Sequence, residues 1–507
     1  MKNLKHVLNP TTWHMGVWAA ICLVGFVMSS YAWVVSSPTG NSPDDGFHQA
    51  SIWCPTPVNE SCTVVDYNDL PSVLIPQSAY YTECYNHYGN KSAACILHLS
   101  DNLLVPAARY DDGTYPGYYY DIMHTLVEKD VDRTILVIRW VNVSMAALLY
   151  GAIFFLASPS GRRLVAYTLL GTAVPLVTFF SASINPTSWG IMGVVSAWLA
   201  LHLGLTSTSK PRRLALFGLA VIGAAVAAAA RSDSGAYLVV ICCVILVYHW
   251  PNLIHRLRLV IPLAVVSLLG VISNLSGAQG AVVTEGMSRP AEIIGDPIRV
   301  LAYNILETPD FFTSFWFFSM GSLDAPVPMI TGTLAAAVTI GLCWWGASRA
   351  KMNIRHILCL IGLAVAIVGL PIATLQVTLT YYPNVIQARY LAPLIIVFVG
   401  VCLADRIKDA APLSRTATLW FLVLISVANA YALRTLIQRY TTGLIGSHAI
   451  NLNIGVQWWR GGGPSPMGTW IMGSIGFALM STILFAVRMR PSAPKEVLDQ
   501  VDVPDKV

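Results

Sequence analysis

Two adjacent carboxylates follow the first apolar stretch of the chain, 15–35. Asp44 and Asp45 lie in the segment Pro43-Asp44-Asp45-Gly46-Phe47-His48. A carboxylate in a partly dehydrated groove, with its pKa raised, can take the proton from an attacking hydroxyl group. If the segment is extended, the two side chains point to opposite sides, and one acid acts as the base. The other would then bind a metal ion, a backbone amide or His48. A solvated turn is the alternative, because Pro-Asp-Asp-Gly is a good turn sequence.

Two arginines lie where a phosphate group could be bound. Arg231, two residues before Asp233, and Arg389, directly before Tyr390, fall at the ends of predicted spans. Guanidinium groups bind phosphate oxygens bidentately, so Arg231, Arg389 and Tyr390 are candidates for holding a substrate phosphate. Pairing of Arg231 with Asp233 and contact of Arg389 with lipid headgroups are the structural alternatives. Arg139, inside a predicted span, is a further candidate.

Two other polar residues are placed in short connections. Asn185, in Ser183-Ile184-Asn185-Pro186, either hydrogen-bonds a ligand or forms only a turn. Asp324, in the segment 321–328, either caps the following helix or binds a cation, and capping is favoured.

The composition is that of a polytopic membrane protein. Of 507 residues, 55% are hydrophobic and 11% charged, against about 25% charged in soluble proteins. Roughly 20 apolar residues cross a bilayer core about 30 Å thick, which predicts about twelve transmembrane helices. These predicted spans are 15–35, 135–157, 164–181, 189–205, 214–230, 235–250, 259–275, 329–347, 357–380, 391–404, 416–434 and 468–487.

The distribution of basic residues orients these spans. If the spans alternate, seven groups of Lys and Arg fall on one side, which is then cytoplasmic and carries both termini. The groups are Lys2 and Lys5; Arg162 and Arg163; Lys210, Arg212 and Arg213; Arg256 and Arg258; Arg349, Lys351 and Arg355; Arg406 and Lys408; Arg488, Arg490 and Lys495. Because they are dispersed between apolar spans, the net charge of +5 does not indicate nucleic-acid binding.

Four cysteines share the predicted extracytoplasmic loop, 37–134. Cys54, Cys62, Cys84 and Cys95 predict two disulfides with three connectivities open, since that compartment is oxidising. A zinc site is the rival interpretation, although no CxxC spacing is present.

The chain divides into six predicted parts. The segment 276–328, with its aromatic run 311–318, is expected to hold an interfacial helix or a buried re-entrant piece. The segment 435–467 is expected to be a flexible loop. The parts are a first anchor, 1–36; the cysteine loop, 37–134; a transmembrane core, 135–275; the interfacial segment, 276–328; C-terminal transmembrane helices, 329–490; and a cytoplasmic tail, 491–507.

No nucleotide-binding motif is found in the sequence. The energy of a synthetic step would therefore come with the substrate, and a sugar activated on a lipid phosphate supplies it.

Four motifs in this order resemble those of a known family over roughly residues 15–405. The family consists of bacterial polytopic membrane proteins of formerly unknown function, related to the GT-C glycosyltransferases. Its motifs are Pro-Asp-Glu-x-x-His, Ser-x-Asn-Pro, Gly-Trp-x-Asp-x-x-x-Pro and Arg-Tyr-x-x-Pro. The matching segments here are 43–48, 183–186, 321–328 and 389–393. Asp45 replaces the family's Glu, and Ser322 replaces its Trp.

This resemblance implies an all-α, GT-C-like membrane enzyme in the bacterial inner membrane. Its donor would be a polyprenyl-phosphate-linked sugar, and its acceptor an envelope glycan, lipid or protein. Asp44 or Asp45 would be the base on the extracytoplasmic side, with His48, Asn185 and Asp324 in support. A divalent metal ion is left open. The rival functions are a transporter or flippase of lipid-linked sugars, a polymerase or ligase of lipid-linked glycans, and a non-catalytic scaffold.

Overall fold

The structure is a computed structural model. It describes residues 12–82, 84–276, 296–348, 352–377, 379–381, 386–409, 413–444 and 450–486.

Helices dominate the described chain, as the sequence predicts. Ten of them are long and apolar enough to cross a membrane. In chain order the helices are α1 (Thr12–Val35), α2 (Asp45–Trp53), α3 (Val58–Ser61), α4 (Gln77–Tyr80), α5 (Tyr118–His124), α6 (Val131–Leu156), α7 (Pro159–Gly171), α8 (Pro175–Ser181), α9 (Thr187–Thr206), α10 (Lys210–Ala230), α11 (Ser232–Tyr248), α12 (Trp250–Ile254), α13 (Ile261–Ser276), α14 (Pro297–Leu306), α15 (Thr308–Trp316), α16 (Met329–Ala347), α17 (Ile354–Val377), α18 (Ala388–Asp409), α19 (Arg415–Thr441) and α20 (Pro466–Ala486), with 3₁₀ turns at Ala94–His98 and Leu257–Leu259.

Two of the twelve predicted spans differ from a simple crossing. The predicted span 164–181 is divided between α7 and α8, which are bent by 99°. Pro175 begins α8 and cannot donate a helical hydrogen bond, so the chain turns there. The predicted span 235–250 corresponds to α11, which is apolar but has only 17 residues and is not one of the ten helices long enough to cross.

Two helices form the centre of the bundle. In their apolar windows, 94% of α9 and 83% of α18 is buried, because other helices surround them. At the periphery α1 packs closely on α20. A Cβ built on Gly25 would lie only 2.7 Å from the carbonyl oxygen of Gly476, so the glycines permit this contact.

The cysteine loop contains a small sheet that the sequence analysis did not predict. Strands β1 (Val64–Tyr67), β2 (Leu70–Pro76) and β3 (Leu104–Ala107) form an antiparallel sheet in the order β1-β2-β3. Val73 pairs with Val64 on one side and with Ala107 on the other.

The prediction of two disulfides in this loop is confirmed. Cys54 bonds to Cys62, and Cys84 bonds to Cys95. Each disulfide therefore closes a short segment of the loop.

Two later connections pack against the core where the structure describes them. The segment 296–328 forms two short helices, α14 and α15, and buries Phe311, Phe315 and Phe318 in the core. It therefore fits the packed alternative better than an interfacial helix. In the predicted flexible loop, Trp458 is buried against Tyr440, with ring centroids 6.4 Å apart.

Helix α19 runs seven residues beyond its predicted end and carries Arg439 into the protein. Arg439 Nη2 lies 2.6 Å from Asp324 Oδ2, and both side chains are almost fully buried. Asp324 also accepts a hydrogen bond from the backbone N–H of His87. The capping expectation for Asp324 is therefore wrong, because Pro328 precedes α16 and Asp324 serves the ion pair.

We expect Arg439→Met to lower the free energy of unfolding by about 3–5 kcal/mol, because it leaves the Asp324 carboxylate buried and unpaired. Thermal unfolding of the purified protein in detergent measures this. Arg415→Met, at the exposed start of the same helix, is the matched control. Equal unfolding midpoints for the two variants would contradict a stabilising pair.

Candidate active site at one end of the helix bundle

A buried arginine fixes the chain that leads to the two acids. Arg139 of α6 is fully buried. It donates hydrogen bonds to the carbonyl oxygens of Val34 (2.9 Å), Ser37 (2.8 Å) and Pro38 (2.7 Å), and to Asn41 Oδ1 (2.6 Å). These bonds satisfy carbonyl groups that the end of α1 leaves without helical partners. The candidate Arg139 is thus a positioning residue.

The acids lie in a turn that begins α2, so the turn alternative is realised and the extended segment is not. Asp44 has a left-handed backbone (φ 63°), which Asp tolerates better than most residues. The backbone N–H of Asp45 donates to the carbonyl of Ser42 at 3.1 Å. The two carboxylates nevertheless reach different surroundings.

Asn185 holds this turn from behind. Its Nδ2 donates to the carbonyl oxygen of Pro43 at 2.9 Å, and its Oδ1 accepts from the backbone N–H of Thr187 at 3.0 Å. The side chain is fully buried. Both ends of the amide are used, so Asn185 positions the acid-bearing turn.

The Asp44 carboxylate lies between two arginines. Its Oδ2 is 2.8 Å from Arg389 Nη2, and its Oδ1 is 3.4 Å from Arg109 Nη2. The Asp44 side chain is 40% exposed, whereas Arg389 is buried. The partly exposed Asp44 carboxylate is therefore paired with a buried guanidinium.

The pKa of Asp44 lies below its usual value, which corrects the expectation of a raised pKa. Burial by itself raises this pKa, but the attraction of Arg389, supported by Arg109, outweighs it. Asp44 is consequently ionised throughout the neutral range.

The second arginine is next to the first. Arg231 lies over the Tyr390 ring, 4.4 Å from its centroid, and the Tyr390 hydroxyl accepts from Arg389 Nη2 at 3.0 Å. Arg231 also forms a bidentate pair with Asp233, at 2.9 Å for both Nε–Oδ1 and Nη2–Oδ2. The structural alternative for Arg231 is therefore realised, in a position beside Arg389 and Tyr390.

Asp45 is directed into the protein. Its side chain is buried, and Oδ1 accepts from Ser42 Oγ at 2.9 Å. Burial raises the pKa of Asp45. The geometry thus separates the two candidates into a partly exposed, ionised Asp44 and an internal Asp45.

His48 lies below the site, on the opposite side of α2 from solvent. Its Nδ1 is 2.9 Å from the Tyr120 hydroxyl. Burial, with Arg389 and Arg231 adding to it, lowers the pKa of His48 to about 3, so the imidazole is neutral at physiological pH.

The structure therefore brings Asp44, Arg389, Tyr390 and Arg231 together and places Asn185 and His48 behind them. Asp324 belongs to the separate pair with Arg439. The segment 321–328 still reaches the site loop, because Ser322 Oγ donates to the carbonyl oxygen of Gly40 at 2.9 Å.

Two residues of this site were missed in the sequence. Arg109 pairs with Asp44, and Tyr115 lies 5.8 Å from the Arg231 guanidinium. Both belong to the irregular part of the cysteine loop, where neither periodicity nor a motif distinguishes them. Arg109 carried one usable signal, a positive charge on the side where the basic residues are scarce.

Comparison with known proteins gives one family and two solved structures. A family model described as "Predicted membrane protein (DUF2142)" matches residues 27–398. No curated protein sequence matches the chain. The chain is similar to ArnT from Cupriavidus metallidurans in its apo state (13% identity, TM-score 0.36) and bound to undecaprenyl phosphate (14%, TM-score 0.38). Each alignment covers 94% of this chain and 78% of ArnT. The overall likeness is low at these TM-scores.

We expect Asn185→Ala to loosen the turn that carries Asp44, because the Pro43 carbonyl loses its best donor. Hydrogen exchange of peptides covering residues 40–50 should become about tenfold faster. Asn304→Ala is the control, since Asn304 is equally buried and its Nδ2 donates to the carbonyl of Thr380 at 2.9 Å. Unchanged exchange at residues 40–50 in Asn185→Ala would show that other contacts hold the turn.

Proposed function

The chain belongs to the DUF2142 family of predicted membrane proteins, and we propose that it is a GT-C-type glycosyltransferase. It moves a sugar from a polyprenyl-phosphate donor to a cell-envelope glycan, lipid or protein. The observation that carries this proposal is the Asp44 carboxylate, 40% exposed and 2.8 Å from the buried Arg389 guanidinium. A general base and a binding site for an anionic leaving group are thereby adjacent.

The chemistry follows from this arrangement. The acceptor hydroxyl oxygen attacks the anomeric carbon of the donor sugar, and Asp44 takes the hydroxyl proton. The bond from the anomeric carbon to the phosphate oxygen breaks, and the polyprenyl phosphate leaves with the electron pair. Arg389 and Arg231 stabilise the charge on that phosphate. Because no covalent intermediate is formed, the anomeric configuration inverts.

Donor binding would also change the base. A phosphate beside Arg389 competes with Asp44 for the same guanidinium, which weakens the attraction that holds the Asp44 pKa down. The carboxylate becomes more basic when the donor is in place. Asp45 in this scheme maintains the turn through Ser42 and does not contact the substrate.

The proposed side of the membrane is extracytoplasmic, with both termini cytoplasmic in a bacterial inner membrane. Arg109 of the disulfide-containing loop contacts Asp44 directly, so the site and the disulfides share one end of the bundle. Disulfides persist in oxidising compartments. The seven basic loops, assigned to the other side, support the same orientation.

In this mechanism Arg389 and Arg231 supply the positive charge that stabilises the leaving phosphate. Within the ranges described above, no group of three or more His, Cys, Asp or Glu side chains is placed to hold a metal ion.

A transporter of lipid-linked sugars is favoured by one observation, the break between α7 and α8, since broken helices line many transport sites. Two carbonyl groups at this break are bound by protein side chains. The Ala173 oxygen accepts from Asn429 Nδ2 at 2.8 Å, and the Gly171 oxygen accepts from Thr339 Oγ1 at 2.7 Å. The break is thus tied to neighbouring helices, which supports the enzyme over the transporter.

We expect Asp44→Asn to lower turnover by about 10²–10⁴-fold, because the amide cannot accept the proton. Asp45→Asn should lower it by less than about tenfold, since the amide oxygen can still accept from Ser42. The assay uses reconstituted protein, a panel of undecaprenyl-phosphate-linked sugars and an envelope fraction as acceptor, and measures the release of undecaprenyl phosphate. Full turnover by Asp44→Asn would remove the proposed base.

The pH dependence of kcat/KM tests the Asp44–Arg389 pair. The base acts when ionised, so activity falls as pH decreases through its pKa, and the lowered pKa of Asp44 keeps the wild-type rate level from neutral pH into the acidic range. Arg389→Gln removes the main charge that lowers this pKa, so the acidic limb should move to higher pH. Arg109→Gln should move the limb less, because its guanidinium is 3.4 Å away and exposed. A limb unchanged in Arg389→Gln would mean that another group titrates.

A further inference from the structure

A pocket in the cysteine loop lies outside the arginine cluster. It has a volume of about 190 Å³, and three tyrosines, Tyr67, Tyr80 and Tyr81, form much of its wall. The rings of Tyr80 and Tyr81 meet edge to face, with centroids 6.0 Å apart. Tyr67 and Tyr81 are 47% and 41% exposed, so part of each side chain is accessible to a ligand. We call this feature the tyrosine pocket.

The strand pairing of the small sheet builds the tyrosine pocket. Tyr67 and Leu70 face each other at the end of the β1–β2 hairpin, whose turn residues Asn68 and Asp69 both have positive φ. Such a two-residue turn matches the twist of the strands and fixes their ends. Pro106 of β3 completes one wall. The site is therefore formed by ordered secondary structure.

Two residues connect the lining of the tyrosine pocket to the segment around Asp44. A Cβ built on Gly46 would lie 3.8 Å from the Tyr80 ring, and Gly46 is two residues from Asp44. Ala108, which also lines the pocket, precedes Arg109, whose guanidinium is 3.4 Å from Asp44 Oδ1. The connection through Arg109 leads to the oxygen of Asp44 that is not paired with Arg389.

We propose that the tyrosine pocket binds a neutral sugar ring of the acceptor, so that the acceptor is a glycan or a glycosylated molecule. This inference rests on the proposed glycosyl transfer and names the acceptor class for that reaction. In an inverting displacement the acceptor hydroxyl and the leaving phosphate lie on opposite sides of the reacting carbon. Arg389 pairs with Asp44 Oδ2, whereas the segment that lines the tyrosine pocket at Ala108 continues to Arg109, which pairs with Asp44 Oδ1.

The chemistry of the lining selects a carbohydrate. All the lining residues are uncharged, which disfavours a phosphate or carboxylate ligand. Tyrosine rings offer an apolar face and a hydroxyl, and a sugar ring likewise has an apolar C–H face and a polar edge. Asn68 adds an amide that can donate and accept hydrogen bonds. The volume is below the roughly 300–1,000 Å³ of pockets for drug-sized ligands, and it suits one ring.

Saccharide binding to the full-length protein tests this proposal. The probes are neutral methyl glycosides and disaccharides of glucose, galactose, mannose and N-acetylglucosamine, with affinity measured by saturation-transfer difference NMR. At least one probe should bind. Tyr67→Ala and Tyr81→Ala should each weaken that binding about tenfold, as loss of a ring contact predicts. Both rings are exposed, so the variants should fold normally.

Two controls separate the outcomes. Tyr118→Ala removes a 61% exposed tyrosine of the same loop outside the pocket and should leave the affinity unchanged. Undecaprenyl phosphate binding should be equal in wild type and Tyr81→Ala. No probe binding to the wild type, or undiminished binding in both Tyr67→Ala and Tyr81→Ala, would overturn the tyrosine pocket as the acceptor site.

Failure of the transfer reaction has a different signature. If probes bind the tyrosine pocket but Asp44→Asn retains full release of undecaprenyl phosphate, the proposed base fails and the saccharide site stands.

Discussion

One buried guanidinium determines where the candidate base can lie. Arg139 donates four hydrogen bonds to oxygens of residues 34–41. Three of the acceptors are backbone carbonyl oxygens at and just beyond the end of α1. The negative end of a helix dipole favours a cation there, and the hydrogen bonds offset the loss of hydration. The chain consequently leaves the first helix in one direction only, and Asn185 and Arg389 meet the turn at Pro43.

The charges of the site nearly balance. Asp44 and Asp233 are each held by an arginine, and the two arginines share the Tyr390 side chain, one through its ring and one through its hydroxyl. The two carboxylates leave the three nearby guanidinium groups, including Arg109, with one net positive charge. A site of this kind can exchange an internal anion for a phosphate without exposing an unpaired charge to a low-dielectric interior.

The arrangement of the spans could be predicted from the sequence because hydropathy and the distribution of basic residues give a signal that extends over many residues. The spans, the Ser183–Pro186 connection and the position of Arg389 near the start of a span follow from that signal. It could not show that α7 and α8 bend, since Pro175 alone does not set an angle. It also missed the small sheet, because two of its three strands have only four residues, too few to show a period. The lowered pKa of Asp44 depends on Arg109 and Arg389, which are brought near it only by the folded chain.

The close packing of Gly25 against Gly476 has a consequence for biosynthesis. During synthesis α1 enters the membrane long before α20 has been translated. Until then the surface of α1 around Gly25 must contact lipid or other helices. The same delay applies to Ala93, whose backbone N–H donates to the carbonyl of Tyr440 near the end of α19. Nascent chains should therefore lack a finished candidate site until translation is almost complete and the last helices have been inserted.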